Sequence, residues 1–179
     1  MILMNMSGFI RANAALPWLG AVVLAFLLPF SAHADDYTDV SDLVGARQYE
    51  QALTKADRYL SNKPRDPQMR FLRGVILSES GRSEEAITVF TKITEDFPEL
   101  PEPYNNLAVL HADRNQLDKA RAALEMALRV NPSYATAYEN LGDIYARLAS
   151  QAYSKSLQLD PSKTTLRPKL ALIQSLFNR

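Results

Sequence analysis

Cysteine is absent from the 179 residues, and histidine occurs only twice, at His33 and His111. Disulfides and thiolate nucleophiles are thereby excluded, and the usual zinc sites and Cys–His or Ser–His–Asp triads fall away with them. Glycine is scarce, six in all, too sparse for a phosphate-cradling loop, and neither a G-x-G-x-x-G nor a Walker pattern occurs. An excess of either charge is also missing: 20 Lys and Arg stand against 20 Asp and Glu. That balance argues against electrostatic capture of nucleic acid or an anionic membrane. The acidic cluster Asp35, Asp36, Asp39 and Asp42 lacks the Asp-x-Asp-x-Asp-Gly spacing of a calcium loop and reads as a solvated terminus. The expectation is a chain that is not an enzyme and carries no catalytic residue, no metal and no cofactor.

Only one long apolar run is present, from Ala14 to Phe30. Arg11 precedes it, and Ala32-His33-Ala34 follows as a small-x-small cleavage site ahead of acidic residues. Residues 1–34 therefore read as a cleaved secretory signal peptide. An uncleaved anchor is the alternative, because roughly 17 apolar residues approach a minimal span. Pro17, Pro29 and the cleavage site favour removal. The mature chain would begin at Asp35, secreted and most simply periplasmic, with no stable membrane insertion.

What the sequence does contain is a period. Pro64, Pro98 and Pro132 are evenly spaced, and Ala52, Ala86 and Ala120 recur at the same interval. Gly74, Ala108 and Gly142 keep that step, and so do Tyr104 and Tyr138. Unrelated positions sharing one period signal internal repetition. "YNNLAVLH" and "YENLGDIY" have the pattern of first helices, and "EEAITVFTKI" and "DKARAALEMAL" that of second helices followed by proline. Over residues 46 to 161 the chain resembles the tetratricopeptide-repeat (TPR) family, whose unit is two antiparallel helices. The resemblance implies an all-α, right-handed TPR helical solenoid of about three to four repeats. Its second-helix stripes, such as Leu117, Ala120, Leu124, Ala127 and Leu128, fit that architecture. Asp66-Pro67 reads as an N-cap with proline in the first turn, and Gly81 as a helix end.

The expected layout is an N-terminal partial repeat at 35–65, with an abbreviated first helix around Tyr37 to Val44. Full repeats follow at 66–99 and 100–133, then a shortened one at 134–161. Residues 162–179 form a C-terminal capping helix with an apolar stripe of Leu166, Leu170, Ile173, Leu176 and Phe177. In the fourth repeat the alanine and the proline, Ala149 and Pro161, both arrive early by the same amount. The missing residues lie between Tyr145 and Ala149, where other repeats turn with "ESGRSEE" or "DRNQLDK". Two outcomes are open there: one continuous helix from about Tyr134 to Leu159, or a tight turn across Arg147 to Gln151. The helix is favoured, since no Gly, Pro or Asn occurs from Asp143 to Asp160. Its second half could not fold back on its first, and would need the C-terminal helix or a second protomer as partner. That puts a homodimer through the 134–159 helix among the expectations.

In TPR proteins the first helices line a groove that holds an extended peptide or a partner helix. Carried over by register, that groove comprises Gln68, Phe71, Val75 and Ser78, then Glu102, Asn105, Val109 and Ala112, then Glu139, Asp143 and Ala146. Asn106 and Asn140 match a position where some members present an asparagine ladder to peptide backbone. No lysine lies on these first helices, so a carboxylate clamp is not carried over, and Arg70 and Arg73 read as solvent-exposed. His111 stands where the family buries tyrosine, and reads as a core residue. Segments such as "TAYENLGDIYA" are similar to small exported TPR proteins of proteobacteria. The resemblance implies a non-catalytic interaction module or assembly adaptor of the cell envelope with a protein or peptide partner. A self-associating spacer, or a periplasmic holdase or assembly-chaperone subunit, is the alternative.

Overall fold

A computed structural model describes residues 32–177, with side chains from Asp36 onward. The segment read as a signal peptide lies outside these residues, apart from its last three. Eight helices and no strand are found among the described residues: α1 (Ala32–Gly45), α2 (Tyr49–Asn62), α3 (Pro67–Glu79), α4 (Ser83–Asp96), α5 (Pro101–Asp113), α6 (Leu117–Val130), α7 (Ala135–Leu159) and α8 (Leu166–Ser175). Each helix packs on the next along the chain. The described residues form an all-helical array of helix pairs with an extra C-terminal helix.

The turns inside the repeats are built alike. The backbone N–H groups of Gln48, Arg82 and Gln116 reach back to the carbonyls of Leu43, Leu77 and His111 at 2.8, 2.8 and 2.9 Å. Each turn passes through one left-handed residue: Arg47 (φ 56°), Gly81 (φ 80°) or Asn115 (φ 56°). These three keep the repeat step, and the wide 6→1 bond with a left-handed residue inside it is the Schellman solution to orphan helix carbonyls. Only one of the three is glycine, so composition alone marks only one of the turns. At the start of α3 the Asp66 side chain accepts from the Met69 N–H at 2.8 Å, an N-cap with Pro67 behind it.

Two apolar clusters form the interior. The first joins α1 to α4 and the buried Leu107 and Leu110 of α5, around Phe90, Met69, Ile76, Leu77 and Ile93. The second joins α5, α6 and the first half of α7 through Leu124, Ala127, Ala137, Leu141 and Ile144. Small residues set how closely paired helices approach. A Cβ built on Gly74 would lie 2.6 Å from the Phe90 ring, so glycine is required opposite that phenylalanine. The third repeat puts Ala108 opposite the smaller Leu124, and both are buried.

Two elements, the first and last helices, depart from the expectations, and the fourth repeat takes the favoured one of its two open outcomes. The first helix is not abbreviated: α1 has 14 residues, as α2 does. Its acidic sequence hides a helical face carrying the buried Val40 with the part-buried Tyr37, Leu43 and Val44. Asp39 also pairs with Lys55 of α2, so this part of the acidic cluster is a helix-pairing contact rather than a loose terminus. The fourth repeat has no turn at all. Ala146, Arg147 and Leu148 are helical, and α7 runs unbroken for 25 residues, about 38 Å at 1.5 Å per residue. The C-terminal helix covers less than its stripe implies. Leu166, Leu170 and Ile173 are half-buried, while Leu172, Leu176 and Phe177 are exposed, and no residue of α8 is buried.

Candidate peptide-binding groove

Seven of the groove residues inferred by register line two recesses. The larger, of about 470 Å³, lies between α5 and α7 and is lined by Ala108, Val109, Ala112, Asp113, Leu124, Asn140, Asp143, Ile144, Arg147 and Phe177. Val109, Ala112, Asn140 and Asp143 belong to the expected set; Arg147 does not, although it stands one repeat step after Asp113 and the period could have supplied it. Phe177 enters because α8 returns alongside α7, bringing Gln174 and Phe177 beside Arg147, Ser150 and Gln151. That return depends on a helix-to-helix path no periodicity encodes. The smaller recess, of about 210 Å³, lies between α3 and α5 and takes Gln68, Phe71 and Glu102. Val75 is half-buried against the first core cluster, Glu139 is exposed, and neither lines either recess.

The asparagines arrange themselves differently from a ladder. Asn106 is spent on its own helix, donating to the Glu102 carbonyl at 2.9 Å. Asn140 instead donates to Asn105 Oδ1 at 2.8 Å, across from α7 to α5. Asn105 is only 7 % exposed and is the buried polar residue of the described core. The pair is offset by one position from the repeat period, since 35 residues separate the partners. It still leaves the Asn105 N–H₂ and the Asn140 carbonyl oxygen, a donor and an acceptor, which is what a peptide group requires.

Charge around the larger recess is set by Asp113 and Asp143 against Arg147. The other cations near the first helices are already engaged. Arg70 Nη1 donates to Asp96 at 2.8 Å and lies 5.7 Å from the Phe97 ring centroid, and Arg73 Nε donates to Asp57 at 2.7 Å. These two arginines brace α3 against its neighbours rather than standing free in solvent. The Arg70 hydrogen bond in turn holds the Asp96 carboxyl below the usual carboxylate range. With those arginines paired, the α5–α7 recess presents two carboxylates and one guanidinium. Phe71, expected in the groove, has a second task, its ring tilted at 58° against Phe90 with centroids 5.6 Å apart. His111 is a turn brace and not a core residue: half-buried, its Nδ1 lies 2.9 Å from Gln116 Oε1, while its carbonyl closes the α5–α6 turn.

A hydrogen-bonded group closes the N-terminal end. Tyr37 and Tyr59 both donate to Asp66 Oδ2, at 2.6 and 3.2 Å, tying α1 and α2 to the cap of α3. Burial raises the Tyr37 hydroxyl pKa well above the usual tyrosine range, and its bonds to Asp66 and Tyr59 add to the effect. Burial opposes ionisation of Asp66, but the bonds from Tyr37, Met69 N–H and Tyr59 outweigh it and the carboxyl sits below its ordinary value.

Paired antiparallel helices repeating at one fixed period, left-handed intra-repeat turns and small residues at the crossing define a repeat array of the TPR class. Two family models match: "Tetratricopeptide repeat" over residues 37–101 and "TPR repeat" over residues 110–148, together more than half of the chain. The chain belongs to the TPR repeat family. Among curated proteins it is 38% identical over 79 residues to the chloroplastic tetratricopeptide repeat domain-containing protein PYG7 of Arabidopsis thaliana, covering 41% of this chain and 26% of that one. It is 31% identical over 90 residues to the probable biofilm formation methyltransferase WspC of Pseudomonas putida, covering 50% of this chain and 21% of that one. The chain thus spans about a quarter or less of these relatives' lengths. Among solved structures it is similar to YrrB, described as a TPR protein with an unusual peptide-binding site, at TM-score 0.54 and 27% identity over 58% of this chain and 54% of that one.

Proposed function

We propose that the chain is a non-catalytic interaction module that binds a peptide segment in the recess between α5 and α7. One observation carries the reading: an open recess joins an apolar floor to a polar peptide-addressing pair. Val109 is 42 % exposed within it, and Asn140, which donates to the buried Asn105, lines its side. Asp113 and Asp143 at the rim favour a ligand that places a basic residue near an apolar anchor. The likeness to YrrB, a protein with a peptide-binding site, supports the same reading.

The module works in the cell envelope, as an assembly adaptor. The apolar run from Ala14 to Phe30 and the Ala32-His33-Ala34 site support export. An alkaline phosphatase fusion after residue 60 tests this part separately, since the reporter gains activity only when exported.

The groove itself is tested with peptides selected from a random library and measured by fluorescence polarisation. Val109→Glu and Asp143→Lys should each weaken a selected peptide about tenfold or more. Both sites are exposed, so neither change disturbs the core. Peptides that bind both variants as tightly as the parent would remove the recess from consideration. Phe71→Glu is the poorer test, because Phe71 also supports Phe90.

A further inference from the structure

The last repeat carries a seat with nothing in it. At the helix-crossing position Gly74 of α3 meets the Phe90 ring of α4. The third repeat keeps the same spacing along the chain with Ala108 and Leu124. Gly142 holds the same position on α7, yet a Cβ built there would meet nothing within 4 Å. Its flanking residues on the same helical face, Tyr138 and Tyr145, are 55 % and 50 % exposed.

The segment that belongs on this seat is present in the chain. Correcting the spacing for the missing turn puts Tyr153 in the place of Phe90 and Leu124. Ala149 then matches Ala120, and Ser156 matches Ala127. The backbone agrees: α7 ends at Asp160 with φ −141° and ψ 91°, close to the ends of the second helices at Lys63, Phe97 and Asn131. By register and by the geometry of its end, the second half of α7 matches a second helix, but its connection differs. It cannot reach its own seat, because Gly142 and Tyr153 lie about 16 Å apart along one unbroken helix. From Tyr145 to Phe177 no residue is buried, so α8 does not replace the missing partner.

We infer that α7 is an exchange element: Ala149–Leu159 of one copy seats on the Tyr138–Gly142–Tyr145 face of a second copy, and reciprocally. Tyr153 of each copy fills the socket over Gly142 of the other, as Phe90 fills that over Gly74. The pairing is antiparallel and self-complementary, centred between Arg147 and Leu148, as a two-fold axis requires. Shortening the hinge between two elements that pack together is the change that converts an intramolecular pair into an exchanged one. Asn140, Asp143 and Arg147 lie on another face of α7 by helical periodicity, so the dimer keeps both α5–α7 recesses open.

The cysteine-free sequence gives a direct test. Gly142→Cys combined with Tyr153→Cys cannot form a bridge within one helix, since a disulfide needs Cα atoms within about 7 Å. Under mild oxidation the double variant should run as a covalent dimer, while Asp118→Cys with Tyr153→Cys should not. Sedimentation equilibrium of the unmodified chain should give twice the monomer mass. Gly142→Leu, harmless to a lone chain because its seat is open, should weaken the dimer at least tenfold. Copying Arg114–Asp118 in after Arg147 restores the repeat register and should yield a helical monomer, with circular dichroism confirming that both variants fold. A monomer at roughly 100 µM, a double variant without covalent dimer, or a dimer indifferent to Gly142→Leu would each overturn the exchange.

Discussion

The second helix of the third repeat and the second half of α7 occupy the same register and meet opposite fates. Ala120, Leu124 and Ala127 of α6 are wholly buried, whereas Ala149, Tyr153 and Ser156 of α7 are only part-covered. The residues are of comparable size, and Tyr153 is larger than its counterpart. What differs is the connection: α6 follows a left-handed turn at Asn115, and the second half of α7 follows uninterrupted helix. Burial in a repeat array is therefore decided by the turn as much as by the stripe. A second helix without its turn remains an amphipathic surface that α8 covers only in part.

The largest effect should come from removing a filled socket on the closed side of this contrast. Phe90→Ala empties a fully buried site and should cost about 3–5 kcal/mol in urea unfolding. Tyr153→Ala, at the equivalent position of α7, should cost about 1 kcal/mol or less in dilute solution, where the chain is alone. Equal losses at the two positions would mean that the second half of α7 is as well packed as α4.

The glycine positions sharpen the comparison, because one substitution should change sign. Gly74→Ala forces a methyl group against the Phe90 ring at 2.6 Å and should destabilise by about 1–3 kcal/mol. Gly142→Ala adds the same methyl group to open space within a helix and should stabilise the dilute chain by about 0.5–1 kcal/mol. The third repeat supplies a rescue: Gly74→Ala with Phe90→Leu recreates its Ala108–Leu124 pairing and should recover part of the loss. Thermal melts of the three variants at one low concentration decide the matter.

This contrast was partly written in the sequence. The regular repeat step identifies the seats, and the early arrival of Ala149 and Pro161 locates the missing turn. Side-chain destinations were less visible, for physical reasons. Phe71 has the register of a groove residue, but its ring is drawn to Phe90. The Asn105–Asn140 bond breaks the repeat period by one position, because it follows the crossing of α5 and α7 rather than the chain. Arg70 and Arg73 find acids 26 and 16 residues away, partners that no local spacing announces. Left-handed turns at Arg47 and Asn115 escape a search for glycine.

Acid should act on the closed, N-terminal side and leave the open side little changed. The Asp66 carboxyl titrates below the ordinary carboxylate value of about 3.9. Its contribution is complete above about pH 5 and is lost as the pH falls through the folded value. Tyr37 has the opposite sense, its pKa raised above the ordinary value of about 10. The unfolded tyrosine ionises first, so stability falls as pH rises past about 10. Tyr37→Phe should flatten the alkaline limb and shallow the acid one in urea midpoints measured against pH. Asp66→Ala, which also removes the α3 cap, should cost about 1–2 kcal/mol at pH 7. Amide exchange should show α1 to α3 loosening at low pH, while residues 149–159 of the lone chain exchange readily at every pH.

The smallest effect lies in the turns that only the closed repeats possess. Arg47 holds φ at 56° and is exposed, while Gly81 holds φ at 80° in the next repeat. A left-handed conformation costs a residue with a Cβ about 1–2 kcal/mol. Glycine avoids that strain but loses about 0.5–1 kcal/mol more backbone freedom on folding. Arg47→Gly should therefore stabilise by about 0.5–1 kcal/mol, the difference of the two. Gly81→Arg should lose a similar amount. Asn115→Gly should gain less, because asparagine tolerates this region better and its Oδ1 also accepts from Gln151 of α7 at 3.3 Å. The fourth repeat has no residue on which to make the corresponding change. Its deletion removed the strained position together with the turn, so the fused helix is locally the less strained structure and globally the less packed one.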